Sequence, residues 1–216
     1  VKHPTVGNNR VDGSCFVIDA EQGLLWTCSH VTPTVGQVRQ IGMAAAPGKP
    51  IAWMYEARVE HSTRDQKLGG LDGALLRITA RVGGVSPLPV PLMHADGNQL
   101  PALPLGNEAT LVLPGDEPAV LLGYPGVTQV ITPTVGIYSN LAQLGCVAGP
   151  DTEYLLTDAT MLPGHSGGPG LNQRGEVVGW NVRHLKVNDS LIHIGVACGI
   201  NELRPVSALL AELQGP

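Results

Sequence analysis

The chain of 216 residues contains 28 glycines and 18 prolines, about one residue in five, whereas these two residues make up roughly 12% of an average protein. An interior Gly costs a helix about 1 kcal/mol and an interior Pro about 3 kcal/mol, so this composition excludes a helical bundle and favours short strands joined by turns. The 13 basic residues are outnumbered by 18 acidic ones, for a net charge of −5, and no basic stripe is available to bind nucleic acid.

Runs of strand-favouring residues, separated by turn residues, recur along the chain and predict an all-β fold. In the first half these runs are Ser14–Asp19, Leu24–Cys28, Gln37–Met43, Ile51–Glu60 and Ala74–Ile78. A cluster of prolines follows, as in a connector between two packed units: Pro87, Pro89, Pro91, Pro101 and Pro104. In the second half the runs are Thr110–Leu113, Ala119–Gly123, Gln129–Ser139, Glu153–Thr157, Glu176–Val182 and Leu191–Cys198.

These elements predict an N-terminal β lobe (residues 1–85), a Pro-rich connector (86–107), a C-terminal β lobe (108–200) and a closing segment (201–216). The closing segment has apolar residues at helical spacing and is predicted to form a short helix. Residues 118–150 carry no charge, but prolines and polar residues interrupt them. This stretch therefore indicates buried strands rather than a membrane span.

The four cysteines, Cys15, Cys28, Cys146 and Cys198, form no CxxC pair. A chain of this size folds without disulfides, so reduced and mostly buried thiols are expected, and the pattern favours a reducing, cytoplasmic compartment. A disulfide between Cys15 and Cys28 is the alternative, because two strands joined by a hairpin would bring them together.

The segment of residues 163–169, Pro-Gly-His-Ser-Gly-Gly-Pro, is the most informative one for function. It places Ser166 among glycines, which allow the backbone to approach a substrate closely and leave successive N–H groups free to bind an oxyanion. A serine nucleophile also needs a base and an orienting carboxylate. Two hydrolase families build such a loop and have to be separated.

Two segments earlier in the chain supply a histidine and an aspartate: Thr27-Cys28-Ser29-His30-Val31 and Leu71-Asp72-Gly73-Ala74-Leu75. Together with Ser166 they give the chain order His, Asp, Ser. The pattern resembles the trypsin-like serine proteases, and most of all their bacterial Deg/HtrA-type branch. The resemblance implies two six-stranded antiparallel β-barrels, with Ser166 as nucleophile, His30 as general base and acid, and Asp72 orienting His30. It also implies an oxyanion hole from the N–H groups of Gly164 and Ser166, and it requires no metal or cofactor.

The same resemblance predicts which residues form the pocket for the side chain before the scissile bond: Thr160, Met161, Val182, Arg183, His184, Gly195 and Ala197. No acidic residue is among them, so small or medium aliphatic side chains are expected there rather than Lys or Arg. The substrate would be an extended polypeptide paired with a strand edge. The Deg/HtrA branch usually adds a peptide-binding PDZ domain, which is not expected here, and a regulatory domain or partner in a larger protein stays open.

Two alternatives remain at this stage. Residues 164–168 also match the G-x-S-x-G elbow of the α/β-hydrolases, a family that includes esterases and lipases. In that fold the acid and the base follow the serine in the chain, and here they would be Asp189 and His193. The second alternative is a catalytically inactive trypsin-like barrel that serves as a scaffold or binding module, because a fold does not guarantee activity.

Overall fold

The computed structural model describes residues 1–2, 11–44, 46, 48–63, 72–83, 92–93, 98–107, 111, 117–126, 128–143, 153–186 and 193–199. Every element whose bounds lie within these ranges is a β-strand, so the predicted all-β fold is confirmed. The strands are β1 (Phe16–Asp19), β2 (Leu24–Thr27), β3 (Val38–Ala44), β4 (Ile51–Ser62), β5 (Ala74–Arg81), β6 (Glu117–Gly123), β7 (Thr132–Gln143), β8 (Glu153–Thr157), β9 (Pro169–Leu171), β10 (Val177–Lys186) and β11 (His193–Gly199). The helix predicted for 201–216 lies outside the described residues.

The first sheet is antiparallel and has the strand order β1-β2-β5-β4-β3. A tight turn joins β1 to β2: the backbone N–H of Gln22 donates to Asp19 Oδ1 (2.9 Å), and Gly23 has a φ of 68°, which favours glycine. Six strands in a barrel were expected in this lobe. The described residues form five, in an open sheet rather than a closed one.

The second sheet is a closed barrel of six strands in the order β10-β11-β8-β7-β6-β9. Its short strand β9 was missed in the sequence, because Pro-Gly-Leu has the composition of a turn. β9 pairs with β10 through Pro169 and Trp180 and with β6 through Gly170 and Leu121. It thus closes the barrel directly after the serine-containing loop. The run predicted at 110–113 forms no described strand, since Leu111 alone is described there and lies in a bend.

The described part of the predicted connector contacts both sheets. The N–H of Leu103 donates to the carbonyl of Val17 in β1 (3.1 Å), and the N–H of Val177, where β10 begins, donates to the carbonyl of Pro104 (2.8 Å). The domain boundaries stay a prediction. No helix in the described part of the chain is long and apolar enough to cross a membrane.

Two tryptophans join the cores of the two sheets. Trp26 of β2 and Trp180 of β10 are fully buried, and their rings meet edge to face with centroids 5.4 Å apart, a geometry that contributes about 0.5–1.5 kcal/mol beyond burial. A Cβ on Gly73 would lie 2.2 Å from the Trp26 ring, so the close approach requires glycine here. This contact holds the chain beside Asp72 against the boundary between the sheets.

Candidate active site

Strand pairing brings His30 and Asp72 together. β2 ends at Thr27, which pairs with Ala74 at the start of β5. His30 lies in the turn that follows β2, and Asp72 lies two residues before β5. Two residues that are far apart in sequence therefore meet at the same end of adjacent antiparallel strands.

Asp72 is held from three directions. One carboxylate oxygen, Oδ2, lies 2.6 Å from His30 Nδ1, and the other, Oδ1, accepts hydrogen bonds from the His30 N–H (3.0 Å) and from Ser29 Oγ (2.7 Å). Trp180 Nε1 donates to the Asp72 carbonyl (2.9 Å). Burial raises the pKa of Asp72, but the hydrogen bonds from His30 and Ser29 and the charge of His30 outweigh it, so this pKa lies below its ordinary value.

The ionised carboxylate determines the tautomer of His30. A carboxylate only accepts hydrogen bonds, so Nδ1 of a neutral His30 has to carry the proton. Nε2 then keeps its lone pair, and with it the capacity to remove a proton. The His30 side chain is 39% exposed, whereas that of Asp72 is 12% exposed, so the imidazole faces the solvent and the carboxylate lies on its interior side.

The loop before Ser166 is a β-turn of type II. The His165 N–H donates to the Leu162 carbonyl (2.9 Å), and the third residue of the turn, Gly164, has a φ of 104°, which is typical of glycine in a type II turn. The central peptide of this turn, which carries the Gly164 N–H, points in the opposite direction from the central peptide of a type I turn. The N–H groups of Gly164 and Ser166 have no acceptor among the described residues.

Ser166 and His30 line the same cavity, whose volume is about 320 Å³. The Ser166 hydroxyl donates to the Val182 carbonyl (3.3 Å) rather than to His30. The Val182 carbonyl can accept this hydrogen bond because Val182 does not pair with a residue of β11. The register of β10 against β11 shifts between Asn181 and Arg183, as in a β-bulge. A bond of this length is weak, and rotation about one side-chain torsion releases the hydroxyl.

The profile of the Trypsin-like peptidase domain family matches residues 13–179, a stretch that includes His30, Asp72 and Ser166. The chain belongs to this family. The predicted resemblance is therefore confirmed, and the α/β-hydrolase alternative is wrong, because that fold needs a sheet flanked by helices.

This trypsin-like domain is similar to HtrA-type proteases. It is 32% identical over 203 residues to the putative serine protease HhoA of Synechocystis, covering 92% of this chain and 43% of that protein. It is 32% identical over 199 residues to the human serine protease HTRA3, covering 87% of this chain and 36% of that one. A solved structure of the HtrA-type protease AlgW with a decapeptide shares its fold, with a TM-score of 0.66 and 24% identity over 93% of this chain and 52% of that chain. The chain thus spans less than half the length of these curated relatives.

The predicted pocket residues of the trypsin-like domain are brought together in part. Met161, Val182 and Arg183 line the cavity with His30 and Ser166. Three residues that were not predicted line it too: Leu162, Pro163 and His165. Thr160 precedes Met161, is exposed and does not line the cavity. Strand β11 places Gly195 opposite His184 and Ala197 opposite Asn181.

Ser29 is a site residue that the sequence reasoning missed. Its hydroxyl is a third hydrogen-bond donor to the Asp72 carboxylate, and the side chain is buried. The sequence did carry a signal, since Ser29 is a hydroxyl residue directly before His30 and lies in the same turn. It could not be interpreted without knowing that the turn faces the carboxylate.

Cys15 and Cys28 are free thiols, so the alternative of a disulfide between them is wrong. The register pairs Phe16 with Trp26, which places neither cysteine opposite the other, and Cys28 Sγ lies 3.1 Å from the Asn181 carbonyl. Ligand atoms of Cys28, His30 and Asp72 lie within 4.8 Å of one another, a donor set that Zn²⁺ accepts. A metal bound there would have to replace the hydrogen bond between His30 and Asp72.

His165, the neighbour of the serine, is buried with both ring nitrogens lacking a hydrogen-bond partner in the described part of the chain. Its ring packs on β6, since a Cβ on Gly123 would lie 2.6 Å from His165 Cδ2. Burial lowers the pKa of this imidazole, because removal from water without a hydrogen-bond partner disfavours the charged ring.

We expect the domain to lose stability below neutral pH through His165. The unfolded chain binds this proton near pH 6.5, whereas the folded chain binds it only at lower pH. The stability is thus fully present above about pH 6.5 and decreases as the pH falls towards the folded-state pKa. Thermal unfolding should be measured between pH 7.5 and 5.5, and the decrease in Tm should be smaller for His165→Asn than for the wild type. Each kcal/mol of unfolding free energy that is lost corresponds to a decrease in Tm of about 2–4 °C.

His61 provides the matched comparison. It is also buried with an unpartnered Nε2 among the described residues, and burial lowers its pKa too, so His61→Gln should remove a separate share of the acid sensitivity. If only His61→Gln reduced the acid-induced decrease in Tm, the role of His165 would be refuted.

Proposed function

We propose that this domain is a serine endopeptidase that cleaves peptide bonds through an acyl-enzyme on Ser166. His30 would act as general base and acid, and Asp72 would orient it. One observation supports this most directly: Ser166 and the His30 that is paired with Asp72 line one cavity, and the loop carrying Ser166 leaves two N–H groups without an acceptor in the described structure. A neutral hydroxyl needs such a base to act as a nucleophile.

The reaction follows from these groups. His30 Nε2 takes the Ser166 proton while Oγ attacks the substrate carbonyl, and the oxyanion accepts hydrogen bonds from the N–H groups of Gly164 and Ser166. His30 then protonates the leaving amine, the C–N bond breaks and the acyl-enzyme remains. Water, deprotonated by His30, hydrolyses the ester and restores Ser166. Each oxyanion donor is typically worth about 3 kcal/mol of transition-state stabilisation.

An extended polypeptide is the substrate that suits this geometry. β10 pairs with β9 only up to Trp180, so from Val182 onward the edge opposite β11 has no strand partner among the described residues. A peptide can add to such an edge through main-chain hydrogen bonds. The AlgW structure, which shares the fold, is a complex with a decapeptide, and we propose that the present chain binds a peptide at the edge of β10.

The cavity should prefer small or medium aliphatic side chains before the scissile bond. Its described lining is mostly apolar, with Met161, Leu162, Pro163 and Val182, and it includes no carboxylate. A Lys or Arg would lose hydration without gaining an ionic partner. We expect kcat/KM at least about 10-fold higher after Val or Ala than after Arg, equal to about 1.4 kcal/mol, in matched peptide substrates. Efficient cleavage after Arg would contradict this.

The experiment that tests the function is cleavage of a denatured proteome by the wild type and by Ser166→Ala, followed by sequencing of the new termini. New termini formed only by the wild type would support the proposal, and their sequences would report the pocket preference together with activity. A folded wild-type domain that forms no new termini would refute it and would favour the scaffold or binding-module alternative.

A further inference from the structure

Ser14 lies two residues before β1 in the first lobe, but its N–H and its hydroxyl bind the serine loop of the second lobe. Its N–H donates to the Ser166 carbonyl (2.7 Å), and its hydroxyl donates to the Gly164 carbonyl (2.7 Å). The same hydroxyl accepts a hydrogen bond from the Tyr124 N–H (2.9 Å), and the Ser14 carbonyl accepts one from Thr27 Oγ1 (2.6 Å). The residue is buried, so these bonds are shielded from water.

The Ser14 hydroxyl acts as a hydrogen-bond donor and as an acceptor at the same time. It donates its single proton to the Gly164 carbonyl and accepts a hydrogen bond from the Tyr124 N–H, a combination that a hydroxyl provides and a methyl group does not. Substitution by alanine would leave a carbonyl and an N–H without their partner in a buried place. Such unsatisfied groups are costly, and the loop would have to move to satisfy them.

The two peptide groups that Ser14 binds alternate with the two that would stabilise the oxyanion. The bound carbonyls belong to the peptides 164–165 and 166–167. The Gly164 and Ser166 N–H groups belong to the peptides 163–164 and 165–166. Since neighbouring peptide planes share a Cα, fixing the first pair restricts rotation of the second pair.

The backbone beside Ser14 is also fitted closely to this loop. A Cβ on Gly13 would lie 2.9 Å from the Ser166 carbonyl oxygen and 2.6 Å from a methyl group of Val31, so glycine is required for this approach. Val31 directly follows His30. The Gly13–Ser14 segment is therefore in contact with both the turn of the base and the loop of the nucleophile.

We infer that Ser14 is a positioning residue for the oxyanion hole, held in the first lobe and acting on the loop of the second. This inference rests on the proposed peptidase function. Ser14 touches no substrate atom. It acts by keeping the N–H groups of Gly164 and Ser166 directed at the place where the negative charge develops, and such preorganisation is worth most in the transition state.

The test compares the wild type with Ser14→Ala on a peptide amide substrate. We expect kcat to fall by about 10- to 100-fold, less than the 10²–10³-fold typical for loss of an oxyanion donor itself, while KM changes by less than about 3-fold. The affinity for a peptide boronate, whose tetrahedral adduct with Ser166 resembles the transition state, should fall in parallel with kcat. Binding of the unreactive peptide to Ser166→Ala should be the same with and without Ser14→Ala.

Ser62→Ala is the matched control, because Ser62 is also a buried serine of the first lobe and its hydroxyl has no partner in the described structure. It should leave kcat and boronate affinity unchanged. Should Ser14→Ala unfold, Ser14→Cys keeps a similar volume with a weak donor and acceptor and should also lose at least about 10-fold in kcat, as expected for weakened oxyanion positioning. Full kcat in either folded variant, or a change in KM alone, would overturn the inference.

The failure of this inference differs from that of the proposed function. A wild type that cleaves peptides and binds the boronate, together with an equally active Ser14→Ala, would refute the role of Ser14 alone. A folded wild type that neither cleaves nor binds the boronate would refute the peptidase proposal, and the inference about Ser14 with it.

Discussion

Replacing Ser166 with alanine is expected to lower peptide hydrolysis by roughly 10⁵–10⁶-fold, as loss of the nucleophile does in characterised serine proteases. The hydroxyl is the only group of this side chain that can form the acyl-enzyme, and His30 has no proton to remove without it. The variant should fold normally, because among the described residues the Ser166 hydroxyl makes one weak hydrogen bond, to the Val182 carbonyl at 3.3 Å. The measurements are hydrolysis of a peptide substrate and intact-mass detection of fluorophosphonate labelling, with Tm as a check on folding.

Ser139→Ala is a matched control for this variant. Ser139 lies in β7 of the same closed barrel as β9 and β10, and its hydroxyl donates to the Leu156 carbonyl at 3.2 Å, so a comparable hydrogen bond is removed away from the cavity. Activity and labelling should be retained. Undiminished hydrolysis by Ser166→Ala, in a preparation from which contaminating protease has been excluded, would show that another group is the nucleophile.

His30 and Asp72 could be identified from the sequence because each lies in a short motif that resembles those of the trypsin-like proteases, and the structure shows why two short segments are enough. Thr27 ends β2 and Ala74 begins β5, and the pairing of these two strands is enough to bring the turn of His30 and the carboxylate of Asp72 together. Strand pairing between alternating apolar segments is the part of a β fold that sequence patterns specify well.

The supporting residues could not be predicted in the same way. Ser14 binds the carbonyl of Gly164, 150 positions further along the chain, and the residues between them give no indication of that contact. Strand β9 was missed because Pro169 and Gly170 resemble a turn, although the pairing with β6 and β10 makes them a strand. Such features depend on how the two sheets pack, and local propensity carries no information about packing between distant segments.

The second large effect is expected for Asp72→Asn, with a decrease in kcat/KM of about 10⁴-fold at neutral pH, the size found when the triad Asp of a related protease becomes Asn. The amide oxygen of the new side chain would accept the hydrogen bonds now made by Ser29 and the His30 N–H. Its NH₂ group would then face His30 Nδ1 and donate to it. Nδ1 would have to be the acceptor, the proton would move to Nε2, and His30 could no longer remove the proton of Ser166.

Asp158→Asn is the matched control, because Asp158 Oδ1 accepts the Ile137 N–H at 2.8 Å and an amide oxygen can do the same. It should retain the wild-type kcat/KM. A decrease of less than about 10-fold for Asp72→Asn would contradict the orienting role, since a wrong tautomer alone costs far more.

The stability of the wild type should also depend on Asp72 at low pH. The pKa of this carboxyl is lower in the folded chain than its ordinary value, because the hydrogen bonds and charge of His30 and the hydrogen bond of Ser29 outweigh burial. Its contribution is therefore present above the unfolded-state pKa, about 3.9, and is lost as the pH falls through the folded-state pKa. Asp72→Asn removes that dependence, so its Tm should decrease less steeply than that of the wild type below about pH 4. The same substitution is expected to remove activity at neutral pH, where the wild-type carboxylate is ionised. Activity at neutral pH and Tm at acid pH are therefore two independent measurements of the His30–Asp72 pair.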